Sequence, residues 1–275
     1  MKKWVYNALL VLFAAVFLVS AGFLVNYYIQ GRAQQDRYND LASVKDETTP
    51  RPTIVEDDAV EQPEQPEQPP AMVEVTDPTT GQTVSLLPEF AELYLQNNHI
   101  IGWLTIPGTN VDYPVMQNPE DPDFYLRRNF DKKNSKWGCM YTWPQCDVWT
   151  PSDNITIYGH HMRDGSMFAQ LDQFRDPEFR NKNRYIFFDT LQSLHTYEVM
   201  AVFLTSASVG KGFPYHEFVD APDEEAFNDF VSQIHKLQLY DSGVTAQYGD
   251  KLICLSTCEY SQTNGRLVVV AKRVA

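Results

Sequence analysis

The chain has 275 residues and a formal net charge of −14, with 43% hydrophobic and 13% aromatic residues. It is long enough for one or two domains, and it contains no basic stretch of the kind that tracks a nucleic-acid backbone, so nucleic acid is excluded as the expected partner. Four cysteines are too few to staple a domain of this size, so a hydrophobic core must hold it.

Lys2 and Lys3 precede Ala8–Val25 (ALLVLFAAVFLVSAGFLV), 18 residues without a charge and enough to span a bilayer. Val19-Ser20-Ala21 loosely resembles a signal cleavage site, but a signal-peptide core runs only about 7–15 residues. Residues 1–30 are therefore expected to be an uncleaved membrane anchor. Tyr27 and Tyr28 would lie at the interface, and Arg32 and Arg37 beyond the span make the charge bias for an inside N-terminus weak. Residues 31–80 are expected to form an acidic, proline-rich stalk. Within 46–80, ten acids oppose the single Arg51, and the repeat EQPEQPEQPP (Glu61–Pro70) favours extended polyproline II.

A folded domain is expected over 81–275. LLPEFAELYLQNN places Leu87, Phe90, Leu93 and Tyr94 at helical spacing. Short β-like runs follow, separated by turn residues: IGWLTIPGTNVDYPVM, GCMYTW, NITIYG, RYIFFDT, HTYEVMAVFLTS, DKLICLSTC and RLVVVAKRV. Strands at this density predict a mainly β, α+β domain built as a closed barrel or a sandwich. Helices are expected near MFAQLDQF and over DEEAFNDFVSQIHKLQLY, where Ala226, Phe227, Phe230, Val231, Ile234 and Leu237 share one face.

Cys254 and Cys258 alternate along one strand and would lie about 13 Å apart, beyond the reach of a disulfide. Cys139 and Cys146, in GCMYTWPQCDV, are close enough in sequence to bridge if that segment loops back. Seven residues rich in turn formers, including Asn264-Gly265, separate Cys258 from Arg266. An antiparallel hairpin would set these two side by side, where an arginine favours thiolate or donates to an oxyanion. The alternative is a core cysteine beside a surface arginine. NITIYGHH is a strand running into Gly159, with His160 and His161 where the chain leaves the sheet, so one imidazole is placed to titrate and swing. No metal-ligand spacing exists among the histidines and cysteines, and neighbouring strand residues point to opposite faces. His99, His195, His216 and His235 stand singly and read as structural or solvated.

The order of anchor, stalk, IGWLTIPGTNVDYPVMQ, YGHHMRDGSMF, LSTCEY and an arginine opening the last strand resembles the class B sortases, over roughly Leu86–Ala275. That resemblance implies a closed eight-stranded β-barrel with N-terminal helices and a long helix, here at 223–239, ahead of the cysteine strand. It implies a cysteine transpeptidase with Cys258 as nucleophile, His160 as general acid/base and Arg266 as the arginine of the site. Ser256 and Tyr215 are implied to line the groove for the sorting peptide, and His161 is the alternative histidine. No metal and no cofactor is implied. The partners would be surface proteins bearing a C-terminal sorting signal, cleaved after threonine, with a peptidoglycan amine or its lipid-linked precursor as acceptor. The domain would then lie outside the cell, on a single-pass anchor in the membrane. Where the family has threonine, this chain has Cys254, which reads as a core residue. Two other classes fit parts of the pattern: a membrane-anchored cysteine peptidase, and a non-catalytic surface adhesin.

Overall fold

The computed structural model describes residues 3–46, 71–208 and 210–275. The repeat Glu61–Pro70, read above as polyproline II, lies outside them. By internal packing the chain divides into residues 1–41 and 42–275.

Helix α1 runs Lys3–Asp46 and carries the apolar span, so residues 31–46 are helical where the composition suggested the start of a stalk. It is the one helix among the described residues long and apolar enough to cross a membrane. In the second unit, strands β1 (Val73–Thr76) and β2 (Thr83–Leu86) form a small antiparallel hairpin. Regular structure thus begins ahead of residue 81. The hairpin turn is closed by Asp77, which accepts from the backbone of Thr79 and Thr80 and from the buried Tyr94 hydroxyl at 2.6 Å. Helix α2 (Pro88–Gln96) starts on Pro88, whose missing N–H costs nothing in a first turn, and buries Phe90, Leu93 and Tyr94.

Eight strands make the barrel: β3 (Ile100–Thr105), β4 (Asp112–Met116), β5 (Met140–Tyr141), β6 (Asn154–Tyr158), β7 (Tyr185–Thr190), β8 (Thr196–Ser206), β9 (Leu252–Glu259) and β10 (Gly265–Arg273). Their order is β10-β8-β7-β3-β4-β5-β6-β9, and the ring closes because β10 pairs with both β8 and β9. Its thinnest seam is β5–β6, with the one partner pair Tyr141↔Tyr158. Two pairings are parallel, β4–β5 and β6–β9, and the second matters for the site.

The β-branched run of β10 and the apolar run of β9 are buried on both faces. Ile253, Leu255, Leu267 and Val269 form the row that fills the barrel. Leu252, Cys254, Val268 and Val270 form the outward row and share a hydrophobic cluster with α4 (Glu224–Leu237), whose Phe227, Phe230, Val231 and Ile234 cover them. Asp223 caps α4 by accepting from the Ala226 N–H at 2.9 Å, and Glu224 and Glu225 lie in its first turn, where acids oppose the helix dipole favourably. Helix α3 (Pro177–Lys182) is a single short addition. The segment Phe168–Arg175, expected as a helix, is a 3-10 turn. Its buried Phe168, Leu171 and Phe174 recur every three residues, the period of a 3-10 helix rather than an α-helix.

Candidate active site

Cys258 lies near the end of β9 and pairs directly with Arg266 of β10 in antiparallel register. Partners in such a pair share a face, so thiol and guanidinium stand side by side on the outward row, just past the end of the α4 cluster. The hairpin geometry expected from the seven intervening residues is the one formed, with Asn264 taking a positive φ of 53° in the turn. Arg266 is half-buried, and its Nη1 donates to the backbone oxygens of Gly265 (2.9 Å) and Asn264 (3.4 Å), which anchor it to its own turn.

The histidine arrives from the other side. In the parallel β6–β9 pairing, Thr156 is level with Cys254 and Tyr158 with Ser256. Past the strand end the two chains stay joined: Gly159 N–H donates to Ser256 O at 3.1 Å, and Thr257 Oγ1 donates to Gly159 O at 2.8 Å. His160 and Cys258 each lie two residues beyond the last pair of this seam, Tyr158↔Ser256. A side chain at Gly159 would break this approach, since a Cβ there would lie 2.6 Å from the Phe168 ring. His160 just past the end of β6, Cys258 near the end of β9 and Arg266 at the start of β10 thus lie at the ends of three neighbouring strands.

His160 Nε2 lies 2.7 Å from Leu126 O, in the 3-10 turn Phe124–Leu126. A carbonyl only accepts, so Nε2 carries the proton and Nδ1 is left as the nitrogen that exchanges one. Burial holds the His160 imidazole below the ordinary histidine range, with the Leu126 carbonyl raising it and Arg127 lowering it further. His161 points the other way, with Nε2 2.7 Å from Asp172 Oδ2 and its ring edge-on to Tyr260. Alternation along the chain separates the two imidazoles.

Ser256 and Tyr215 are brought together. Their hydroxyls share a 2.5 Å hydrogen bond and both residues are buried. Burial pushes the Tyr215 phenol up to about 12. Beside them opens a cavity of about 250 Å³ walled by Trp143, Tyr158, His216 and Glu217. Trp143 packs on Tyr158 at 5.3 Å and edge-on to His216 at 5.6 Å. Leu126, Trp143, Tyr158 and His216 are site neighbours that sequence reasoning missed. Tyr158 alone had a signal, since it precedes His160 by two and so shares its face. His216, read as structural or solvated, is part of this wall.

Cys139 and Cys146 do not bridge: both are buried thiols. The Cys146 thiol faces Asn154 O at 3.9 Å, which turns it toward β6. Among the described residues no group of three or more His, Cys, Asp or Glu side chains is placed to hold a metal ion.

Three half-buried imidazoles give a pH prediction. Burial lowers His195 to about 4 and also depresses His99 and His160. A depressed folded-state value means the folded chain resists protonation, so their contribution is complete above the unfolded value of about 6.5 and is lost as pH falls toward 4. Thermal melts of the full chain should be level from pH 8 to 6.5 and drop by about 5 °C by pH 4, equivalent to roughly 1–2.5 kcal/mol in a domain of this size. His195→Gln should reduce that drop; an equal drop in the variant removes His195 as its source.

A strand-borne thiol paired with a guanidinium, next to a strand that runs into an imidazole, suits cysteine acyl transfer. Residues 104–274 match the sortase domain. Sortase B of Listeria monocytogenes is 30% identical over 198 residues, covering 71% of this chain and 78% of that protein. Among solved structures, sortase B from B. anthracis in complex with AAEK1 superposes with a TM-score of 0.69 at 26% identity, covering 90% of this chain and 99% of that one. A Staphylococcus aureus sortase B–substrate complex gives a TM-score of 0.63 at 28% identity, over 69% and 86%. The chain belongs to the sortase family, in its class B, and is a cysteine transpeptidase.

Proposed function

We propose that Cys258, His160 and Arg266 carry the transpeptidation, on a surface-protein substrate whose C-terminal sorting signal is cut after threonine. The observation that supports this is the Cys258↔Arg266 pair on β9 and β10, with His160 two residues past the end of β6, the strand that pairs in parallel with β9. The Cys258 thiolate adds to the threonine carbonyl carbon, and the oxyanion that develops is stabilised by Arg266. His160 Nδ1, which has taken the proton given up by the Cys258 thiol, passes it to the leaving amine as the C–N bond breaks, and the acyl group remains on sulfur as a thioester. An incoming amine then adds to the thioester, loses its proton to His160, and expels the Cys258 thiolate as the new amide forms. The acceptor is an amine of peptidoglycan or of its lipid-linked precursor.

Ser256 and Tyr215 back the nucleophile through their shared hydrogen bond, and the peptide lies over them against the Trp143–Tyr158 wall. Residues 1–30 anchor the enzyme in the cell membrane with the catalytic unit outside, residues 31–80 space it from the bilayer, and 81–275 carry the chemistry, with β1 packed on as part of that unit. The full chain in detergent, given a fluorogenic sorting peptide with and without an amine acceptor, tests the reading. A transpeptidase forms the acceptor amide. A peptidase gives the same hydrolysis with or without acceptor, and an adhesin gives no cleavage; either result removes the proposal.

A further inference from the structure

The two residues that follow the proposed acid/base and nucleophile, His161 and Glu259, point to the opposite face of the sheet end, where a chain of charges joins them. His161 Nε2 is 2.7 Å from Asp172 Oδ2, Arg175 Nε is 3.3 Å from Asp172 Oδ1, and Arg175 Nη2 is 3.1 Å from Glu259 Oε1. Glu259 is the buried end of this chain, its side chain 7% exposed, and it also accepts from Ser261 N–H and Oγ. Burial pushes the Glu259 carboxyl up, and Ser261 and Arg175 together more than reverse that, so it stays a carboxylate facing a guanidinium.

Asp172 and Arg175 sit on the 3-10 segment Phe168–Arg175, which packs against β9 and β10 and is pinned by three buried apolar side chains. Its first residue donates its backbone N–H to His160 O at 2.9 Å. The segment is therefore bonded to the histidine loop at its start and to the cysteine strand at its end. Tyr260 adds a second tie, donating to His161 O at 3.3 Å.

We infer that Asp172, Arg175 and Glu259 are positioning residues for the transpeptidation: a strap across the back of the site that fixes the spacing of His160 and Cys258. The inference rests on the assignment of those two residues above. β6 and β9 are joined by a parallel seam that ends at Tyr158↔Ser256, short of the reacting pair. Beyond it, the Gly159 hydrogen bonds and the Tyr260 hydroxyl tie to the backbone, and the strap links the two loop ends side chain to side chain. Arg175 bridges two carboxylates with different nitrogens, so its removal unlinks Asp172 from Glu259 and leaves each only its own contact, to His161 or to Ser261.

Misplacing a catalytic pair by about 1 Å can cost up to ~10²-fold in rate, and the strap is partly solvent-exposed, so the expected loss is smaller, about tenfold. The test is steady-state transpeptidation by the full chain in detergent for wild type, Arg175→Met, Glu259→Gln and the double variant. Arg175→Met should lower kcat about tenfold with KM for the sorting peptide within twofold, because the strap touches no substrate. The double variant should be no slower than the slower single, since both break one link. A kcat within twofold of wild type, a loss carried by KM, or losses that multiply would each overturn the strap. If Arg175→Met does not fold, Asp172→Asn, which removes a charge without changing size, is read against the same kcat and KM criteria. A wild-type chain that forms no amide product refutes the catalytic assignment and the strap with it. An active wild type with unaffected variants refutes the strap alone.

Discussion

Cys258→Ser should form no acyl-enzyme, whereas Cys254→Ser should still form it at a rate within about threefold of wild type, less than 1 kcal/mol of barrier. The two thiols are four residues apart on one face of β9 and differ in everything that controls reactivity. Cys254 is fully buried under α4, level with Thr156 on one side and Val270 on the other, and burial drives its thiol far above the usual range. It can neither ionise near neutral pH nor meet a peptide. Cys258 is half-exposed near the end of the same row and paired with Arg266. Serine in its place lacks the acidity and nucleophilicity of the thiol. At position 254, serine sets a hydroxyl in an apolar cluster and should cost about 1–3 kcal/mol of stability, visible as a lower melting temperature with chemistry intact. Mass spectrometry of the full chain after mixing with sorting peptide locates the adduct after proteolysis. An adduct on Cys254, or acylation surviving in Cys258→Ser, would refute the assignment.

How far each part of the site was legible follows from how local its determinants are. The Cys258–Arg266 pairing was readable because a hairpin writes its own register: seven turn-rich residues ending in Asn264-Gly265 leave little choice of partner. α4 was readable from its one apolar face and α2 from four apolar positions at helical spacing. The His160–Cys258 adjacency had no such signal. It depends on a parallel pairing of strands about a hundred residues apart, and the sequence pointed to it through the resemblance alone. The wall of the cavity was illegible for the same reason, since Trp143 and His216 come from separate loops that meet over Tyr158. The 3-10 segment was misread because Phe168, Leu171 and Phe174 satisfy a loose helical pattern as well as a strict period of three. The hairpin at 73–86 was hidden by its acidic, proline-flanked context, where Asp77 looked like another stalk charge and is instead the acceptor for Tyr94.

Arg266→Lys should lose about 10²–10³ in kcat/KM for peptide cleavage, the loss typical of removing an oxyanion donor. Its position explains why a retained charge is not enough. Nη1 is committed to the carbonyls of Gly265 and Asn264, which fix the plane of the guanidinium at the mouth of the hairpin. The rest of the fork is thereby aimed from a defined base, beside the thiol that Arg266 pairs with across β9–β10. A lysine ammonium is a single point charge on a flexible stem and cannot hold two turn carbonyls while presenting donors elsewhere. The phenols of Tyr141 and Tyr215 both feel the Arg266 charge as a lowering influence and the Cys258 charge as a raising one, so both groups lie within electrostatic reach of these tyrosines. An ordinary surface arginine would instead tolerate lysine within about 0.5 kcal/mol. The measurement is kcat/KM for both proteins with melting curves alongside to establish equal folding. A lysine variant within about threefold of wild type would take Arg266 out of the chemistry and leave it a turn clamp.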